Sequence, residues 1–195
     1  MKRIMPAVLA LLFLSSCATQ EKGISYKTDT EKPLTVKRIY LQVKDMRPVK
    51  EILSPKVKQM KIWSGTGSVI NLFERTAKPD EEKTATTDIK QDFTDALNLR
   101  LSNLGVSVIQ QPSKEIVTLT LEIEKVLLDL VGSNFKAEVT FFAKVYRQGK
   151  VFYQERVSGR TEKYNLLGQK TGQKTLSEAF SLAVNNLDVK SFLTK

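Results

Sequence analysis

Three successive stretches between Ile116 and Arg160 put an apolar residue at every second position, and this alternation constrains the fold more than any other feature of the chain. Val117, Leu119, Leu121 and Ile123 share one phase, and Val126, Leu128 and Leu130 continue one residue out of step. Side chains alternate faces along a strand, so an uncorrected slip would turn the second set into water. The shift therefore predicts a β-bulge near Glu124-Lys125. Phe135, Ala137, Val139, Phe141, Ala143 and Val145 alternate in the second stretch, and Val151 to Arg160 forms the returning strand. Gly132-Ser133-Asn134 and Gln148-Gly149 separate the three and read as turns, the latter a hairpin turn. A sheet with one face dry and one face wet follows.

The remaining elements must cover that dry face. Val36 to Lys44 reads as a first strand, with Val36, Ile39, Leu41 and Val43 apolar. It stops at Asp45-Met46-Arg47-Pro48, because Pro48 has no N–H and holds Arg47 extended. Val49 to Lys61 reads as a basic loop, Ile62 to Phe73 as weakly strand-like, and Lys78 to Thr86 as a charged surface loop. Thr87 to Leu104 is a predicted helix with Ile89, Phe93, Leu97, Leu101 and Leu104 on one stripe. Asp88 and Gln91 suit its N-terminal cap, and Gly105 suits the C′ position. Val106 to Ile109 is a short strand. Tyr164 to Lys174 reads as a Gly-rich loop, with Thr175-Leu176-Ser177-Glu178 as a capping box opening a last helix. The predicted class is α+β: a two-layer sandwich, a mostly antiparallel sheet with two helices on one face.

Composition narrows the chemistry. The 195 residues contain no His and one Cys. That excludes His-based acid–base catalysis, His metal ligands, Ser-His-Asp triads, an internal disulfide and a thiolate metal site. No cofactor and no metal are expected. Apolar residues make up 41%, enough for a packed core in one domain.

The first twenty residues carry a second pattern. Met1-Lys2-Arg3 is a positive start, and Ile4 to Leu14 is an apolar run shorter than the ~20 residues a membrane span needs. It reads as a secretory signal. The run closes on Leu14-Ser15-Ser16-Cys17, an apolar residue and two small ones before a Cys, which looks like a lipobox. Residues 1–16 are then a removable signal, and Cys17 is the lipidation site and membrane anchor. Residues 17–35 read as a lipidated, flexible tether, whose polar stretch of sixteen residues from Ala18 to Pro33 has a root-mean-square span of roughly 20–24 Å, and residues 36–195 as one periplasmic α+β domain. Ala18 in place of Asp points to the outer membrane. Loss of Lys2 and Arg3 lowers the formal charge from +10 by two, to +8.

Asp45-x-Arg47-Pro48 after the first strand, the pattern Ala96-Leu97-x-x-Arg100-Leu101-x-x-Leu104-Gly105-Val106-x-Val108, the long hairpins and an Ala-rich final helix occur together with the lipobox. In this combination the chain, over roughly residues 36–187, resembles the YajG-like bacterial lipoprotein family. The resemblance implies an outer-membrane lipoprotein without established enzymatic activity. It brings no catalytic residues, and it directs attention to Asp45, Arg47 and Pro48.

Two binding candidates follow from the residues. Asp45 and Arg47 form either an edge that recognises an anionic group through the guanidinium fork, or a purely structural pair. Lys50, Lys56, Lys58 and Lys61, with Arg160, Lys163, Lys170 and Lys174, form either one basic surface for an anionic lipid or glycan such as lipopolysaccharide, or two solvated loops. Trp63 with Phe73 is either a partner anchor or core. Glu122 and Glu124 share a strand face and read as solvated. The expected function is a non-enzymatic envelope lipoprotein, an interaction or assembly module for an envelope protein. The alternatives are a binding module for an anionic envelope component and, least favoured, a carboxylate hydrolase. Export and the lack of an aromatic-basic motif disfavour nucleic acid.

Overall fold

The computed structural model describes residues 38–60, 88–113 and 115–193. The signal, Cys17, the tether, Lys61, the Ile62 to Phe73 stretch and the Lys78 to Thr86 stretch lie outside the described residues.

Five strands form one sheet: β1 (Arg38–Asp45), β2 (Ser107–Ile109), β3 (Val117–Val131), β4 (Asn134–Arg147) and β5 (Lys150–Tyr164). Their order is β2-β1-β3-β4-β5. The three long strands form an antiparallel meander, whereas β1 runs parallel to both β2 and β3, so the sheet is mixed. Four helices accompany it among the described residues: α1 (Pro55–Lys58), α2 (Ile89–Asn103), α3 (Gln169–Asn186) and α4 (Val189–Leu193).

The register of β3 against β4 shifts between Ile123 and Lys125. Leu119, Leu121 and Ile123 before the shift, and Val126 and Leu128 after it, are all buried. The bulge keeps one apolar face through a phase change in the sequence. The β4–β5 turn holds Gln148 at φ 51° and Gly149 at φ 77°, the left-handed pair that a two-residue hairpin requires.

Helix α2 is bounded by local chemistry. Asp88 accepts from the Gln91 N–H at 3.2 Å. At the other end Val106 N–H donates to Leu101 O and Gly105 N–H to Ser102 O, with Gly105 at φ 76°. That is the Schellman arrangement, which only a residue at ease with positive φ completes cheaply.

Both long helices lie on one face of the sheet. Phe93 of α2 meets Phe141 of β4 and Phe180 of α3 edge-on, with ring centroids 5.5 and 4.9 Å apart. This aromatic cluster joins the three elements at the centre of the core. Against β5 the contact is closer still: a Cβ on Gly159 would lie 2.1 Å from the Ala179 carbonyl oxygen and 2.4 Å from the Ala183 nitrogen. Backbone therefore packs on backbone where α3 crosses β5.

Three sequence expectations are corrected. Tyr164 to Lys174 is not one loop, because β5 runs to Tyr164 and α3 starts at Gln169. The Thr175 to Glu178 capping box does not open a helix. Thr175 is buried inside α3, donating its hydroxyl to Thr171 O and accepting from Thr161 Oγ1 at its own carbonyl. Glu178 pairs with Lys163 at 2.5 Å. Packing on β5 carries the helix back past its polar first turns, which have no strong propensity of their own. Within the basic loop, Ser54 caps α1 by accepting from the Val57 N–H, and Leu53 and Val57 are buried. Helix α4 was not foreseen in the sequence. Its start is held by Asp188, which accepts from the Ser191 N–H and hydroxyl.

Candidate functional site

Strand β1 leaves the sheet where the bulge in β3 begins, for its last paired residue is Asp45, opposite Ile123. There the Arg47 guanidinium grips the Asp45 carboxylate with two parallel bonds, Nε to Oδ1 and Nη2 to Oδ2, both 2.9 Å. The Arg47 N–H adds a third bond to Oδ1 at 3.1 Å. Lys50 Nζ reaches the Asp45 carbonyl at 3.0 Å and lies 3.2 Å from Oδ1. The arginine is 6% exposed. One edge of the fork, Nε and Nη2, is thus taken up by Asp45, while Nη1 is buried without a hydrogen-bond partner among the described residues. After this turn the chain rejoins β3: Ser54 N–H donates to Leu128 O, and Leu128 N–H to Ile52 O. The Asp-x-Arg-Pro sequence clamps a detour between two stretches that pair with the same strand.

Charge chemistry agrees with a clamp. The Arg47 side-chain bonds hold the Asp45 carboxyl down at about 2 against an ordinary 3.8, with burial opposing them. A carboxyl depressed in the folded state contributes its full stability above the unfolded value and loses it as pH falls toward the folded one. Between pH 5 and pH 2.5 the wild type should therefore lose about 1–2 kcal/mol that Asp45→Asn does not lose, the figure being lowered for partial exposure. Urea midpoints of both proteins at the two pH values read this out. Parallel acid sensitivity of the two would contradict the clamp.

The lysines divide. Lys50 faces Asp45, and Lys58 pairs with Glu51 at 2.5 Å. Arg160 and Lys163 are likewise spoken for, by Glu138 and Glu178. One level of the molecule relates the two basic segments. Leu53 bridges Leu128, Leu128 pairs with Ala137, Ala137 with Thr161, and Thr161 bonds to Thr175. Lys56 on α1 and Lys170 and Lys174 on α3 consequently belong to the same end of the sheet, and all three are exposed.

The wet face of the sheet carries a shallow groove of about 470 Å³ lined by Lys125, Asp129, Lys136, Glu138, Arg160 and Glu162 among others. Two of its carboxylates, Glu138 and Glu162, are matched to cations, and Asp129 accepts from the Leu130 N–H. Lys125 and Arg160 flank Glu138 at 2.5 and 2.7 Å, and Asn134 and Lys136 flank Glu162 at 2.7 and 3.1 Å. The Lys125 bond keeps Glu138 below its ordinary value, and the Asn134 bond does the same for Glu162. A glycosidase general acid needs the opposite shift. Further along the same face Glu122 pairs with Lys144 and Glu124 with Arg156, so these two carboxylates are neutralised separately.

Sequence reasoning missed two residues that organise this framework. Arg100, noted only as a letter in a pattern, is buried and donates Nη1 to Val184 O at 2.5 Å and Leu187 O at 2.8 Å, bridging α2 to the end of α3. Gly159, read as one more residue of a strand, is the seat of α3. The only advance signals were an arginine within an apolar helical stripe and a glycine between Val157 and Thr161 opposite an alanine-rich helix.

The architecture defines the class: a two-layer α+β domain with a β1-α2-β2 parallel unit joined to an antiparallel meander. No family model and no curated protein matches the chain. Among solved structures it is similar to protein XCC0632 from Xanthomonas campestris, assigned to family DUF330, at 12% identity and a TM-score of 0.54. That match covers 87% of this chain and 91% of the other. It is also similar to a minor lipoprotein from Acinetobacter baumannii at 14% identity and a TM-score of 0.43, over 80% and 87% of the two chains. At such identity the first likeness establishes a shared fold.

Proposed function

We propose that this chain is a lipid-anchored protein of the bacterial envelope, acylated on Cys17, whose folded domain acts as a non-enzymatic interaction or assembly module. The observation that carries the reading is Leu14-Ser15-Ser16-Cys17, placed directly behind an apolar run too short to span a bilayer. Anchoring by more than one acyl chain is stable rather than fleeting, each buried CH₂ contributing about 0.8 kcal/mol. The reading includes membership of the YajG-like lipoproteins, with residues 17–35 as tether, residues 36–195 as the periplasmic domain, and the outer membrane as the destination on account of Ala18.

Internal neutralisation of the two charged sites supports an adaptor over an enzyme. Asp45 with Arg47, and Glu138 with Lys125 and Arg160, are ion-paired with each other rather than presenting a poised acid and base.

The expected result is direct. Native protein from cell membranes has a mass matching residues 17–195 plus acyl chains, and on a density gradient it follows outer-membrane markers. Cys17→Ser incorporates no labelled palmitate. A protein that retained Met1, carried no acyl mass and stayed with cytosolic markers would overturn the assignment.

A further inference from the structure

At the end of the sheet away from the start of β1, the β3–β4 turn and the β5–α3 loop are tied together by the Asn165 N–H donating to Ser133 O at 2.9 Å. Val131 pairs with Asn134, and Asn134 with Tyr164, so these residues form one rim. From it project the most exposed large apolar side chains of the described residues, Leu166 at 77% and Leu167 at 70%, with Tyr164 and Val131 also exposed. Leu166 N–H bonds to Tyr164 O at 3.0 Å, and Leu167 N–H to Thr171 Oγ1 at 3.1 Å. The two leucines are thus held outward by bonds from their N–H groups, one to a carbonyl and one to a threonine hydroxyl. Water is a poor neighbour for them.

Basic residues lie at the same end of the sheet as this rim. Lys170 and Lys174 on α3 and Lys56 on α1 are exposed, and none of the three forms an ion pair with another described residue. The lysines nearer the sheet are neutralised: Lys163 by Glu178 and Lys136 by Glu162. Two bare leucines with a tyrosine beside them and cations at the same end match a lipid interface. Leucines enter the acyl boundary, the phenol sits at headgroup depth, and ammonium groups meet phosphates. The apolar cluster is four side chains, Val131, Tyr164, Leu166 and Leu167, against the roughly 20–30 residues a side of a stable protein interface.

We propose that the Tyr164-Leu166-Leu167 tip, with Val131 beside it and Lys56, Lys170 and Lys174 at the same end of the sheet, is a second membrane contact that seats the domain on an anionic lipid surface. The proposal deepens the anchored reading and rests on it for the membrane's proximity. Between Cys17 and Arg38 the chain has a contour of up to roughly 70 Å. Strand β3, running from the tether end to the tip, is about 45 Å long. The tip therefore reaches the membrane that holds the anchor.

The test uses the full mature chain from residue 17 with Cys17→Ser, exported behind a cleavable signal, so no acyl chain contributes. That background has no other thiol. A single cysteine at Leu167→Cys, or at Phe152→Cys near the opposite end, carries an environment-sensitive fluorophore. With phosphatidylglycerol–phosphatidylethanolamine vesicles the label at 167 should shift to the blue and the label at 152 should not. In flotation, Leu166→Asn with Leu167→Asn should weaken partitioning on the order of tenfold or more. Lys56→Gln, Lys170→Gln and Lys174→Gln together should weaken it only on anionic vesicles. No shift at 167, an equal shift at 152, or unchanged flotation of the leucine variant would refute the tip. A shift that grows with protein concentration in the absence of vesicles would identify a second copy as the occupant and refute it equally. Because Cys17 is absent here, an error about acylation leaves this result untouched, and a silent tip leaves the acyl assignment standing.

Discussion

Gly159→Ala is expected to destabilise the domain by about 3–5 kcal/mol, lowering its melting temperature on the order of 10 °C. The added Cβ would sit 2.1 Å from the Ala179 carbonyl oxygen and 2.4 Å from the Ala183 nitrogen. Neither obstacle is a side chain that can rotate away, for both belong to the α3 backbone. The helix must lift off β5, and lifting it loosens Phe180 from Phe93, opening the aromatic centre of the core. Thermal and urea unfolding of the wild type and the variant measure the loss. A change within about 1 kcal/mol would mean that helix and strand do not meet at this closeness.

Arg100→Met is expected to cost about 2–4 kcal/mol. A helix ends with carbonyls that have no partner within it and with the negative end of its dipole. At the end of α3 the Arg100 guanidinium supplies donors to two of these carbonyls, Val184 O and Leu187 O, and it is itself buried at 5% exposure. Methionine fills similar space without donors, so the carbonyls stay buried and unsatisfied. Arg100→Lys keeps the charge and should recover part of the loss, which a pure packing role would not allow. Chemical denaturation of the three proteins separates the cases. A methionine variant as stable as the wild type would show that the carbonyls find other donors.

The elements visible in the sequence are those whose determinants lie within a few residues. The bulge was legible because a phase slip between Ile123 and Val126 admits one remedy in a strand with one dry face. The α2 boundaries were legible because Asp88 and Gly105 act on N–H and C=O groups two to five residues away. The opening of α3 was illegible. Gln169 to Lys174 carries no apolar stripe, and its first residues are helical because Thr175 and Leu176 are buried against the sheet. Asp45 and Arg47 were visible as a pair, since residues two apart on extended chain share a face. Which way the pair would serve was not visible, because that depends on whether the guanidinium meets solvent or the interior.

The amino-acid sequence by itself determined the alternating strands, their turns, the capped helix α2, and the short apolar leader with its terminal Cys, since each is specified by nearest neighbours and periodicity. Tertiary structure alone decided that β1 runs parallel between β2 and β3, that Arg100 caps a helix more than eighty residues away, that Gly159 must be small, and that lysines from two distant segments share one end of the sheet. These are contacts between residues far apart in the chain. Their energies come from desolvation and close packing, which no local pattern encodes.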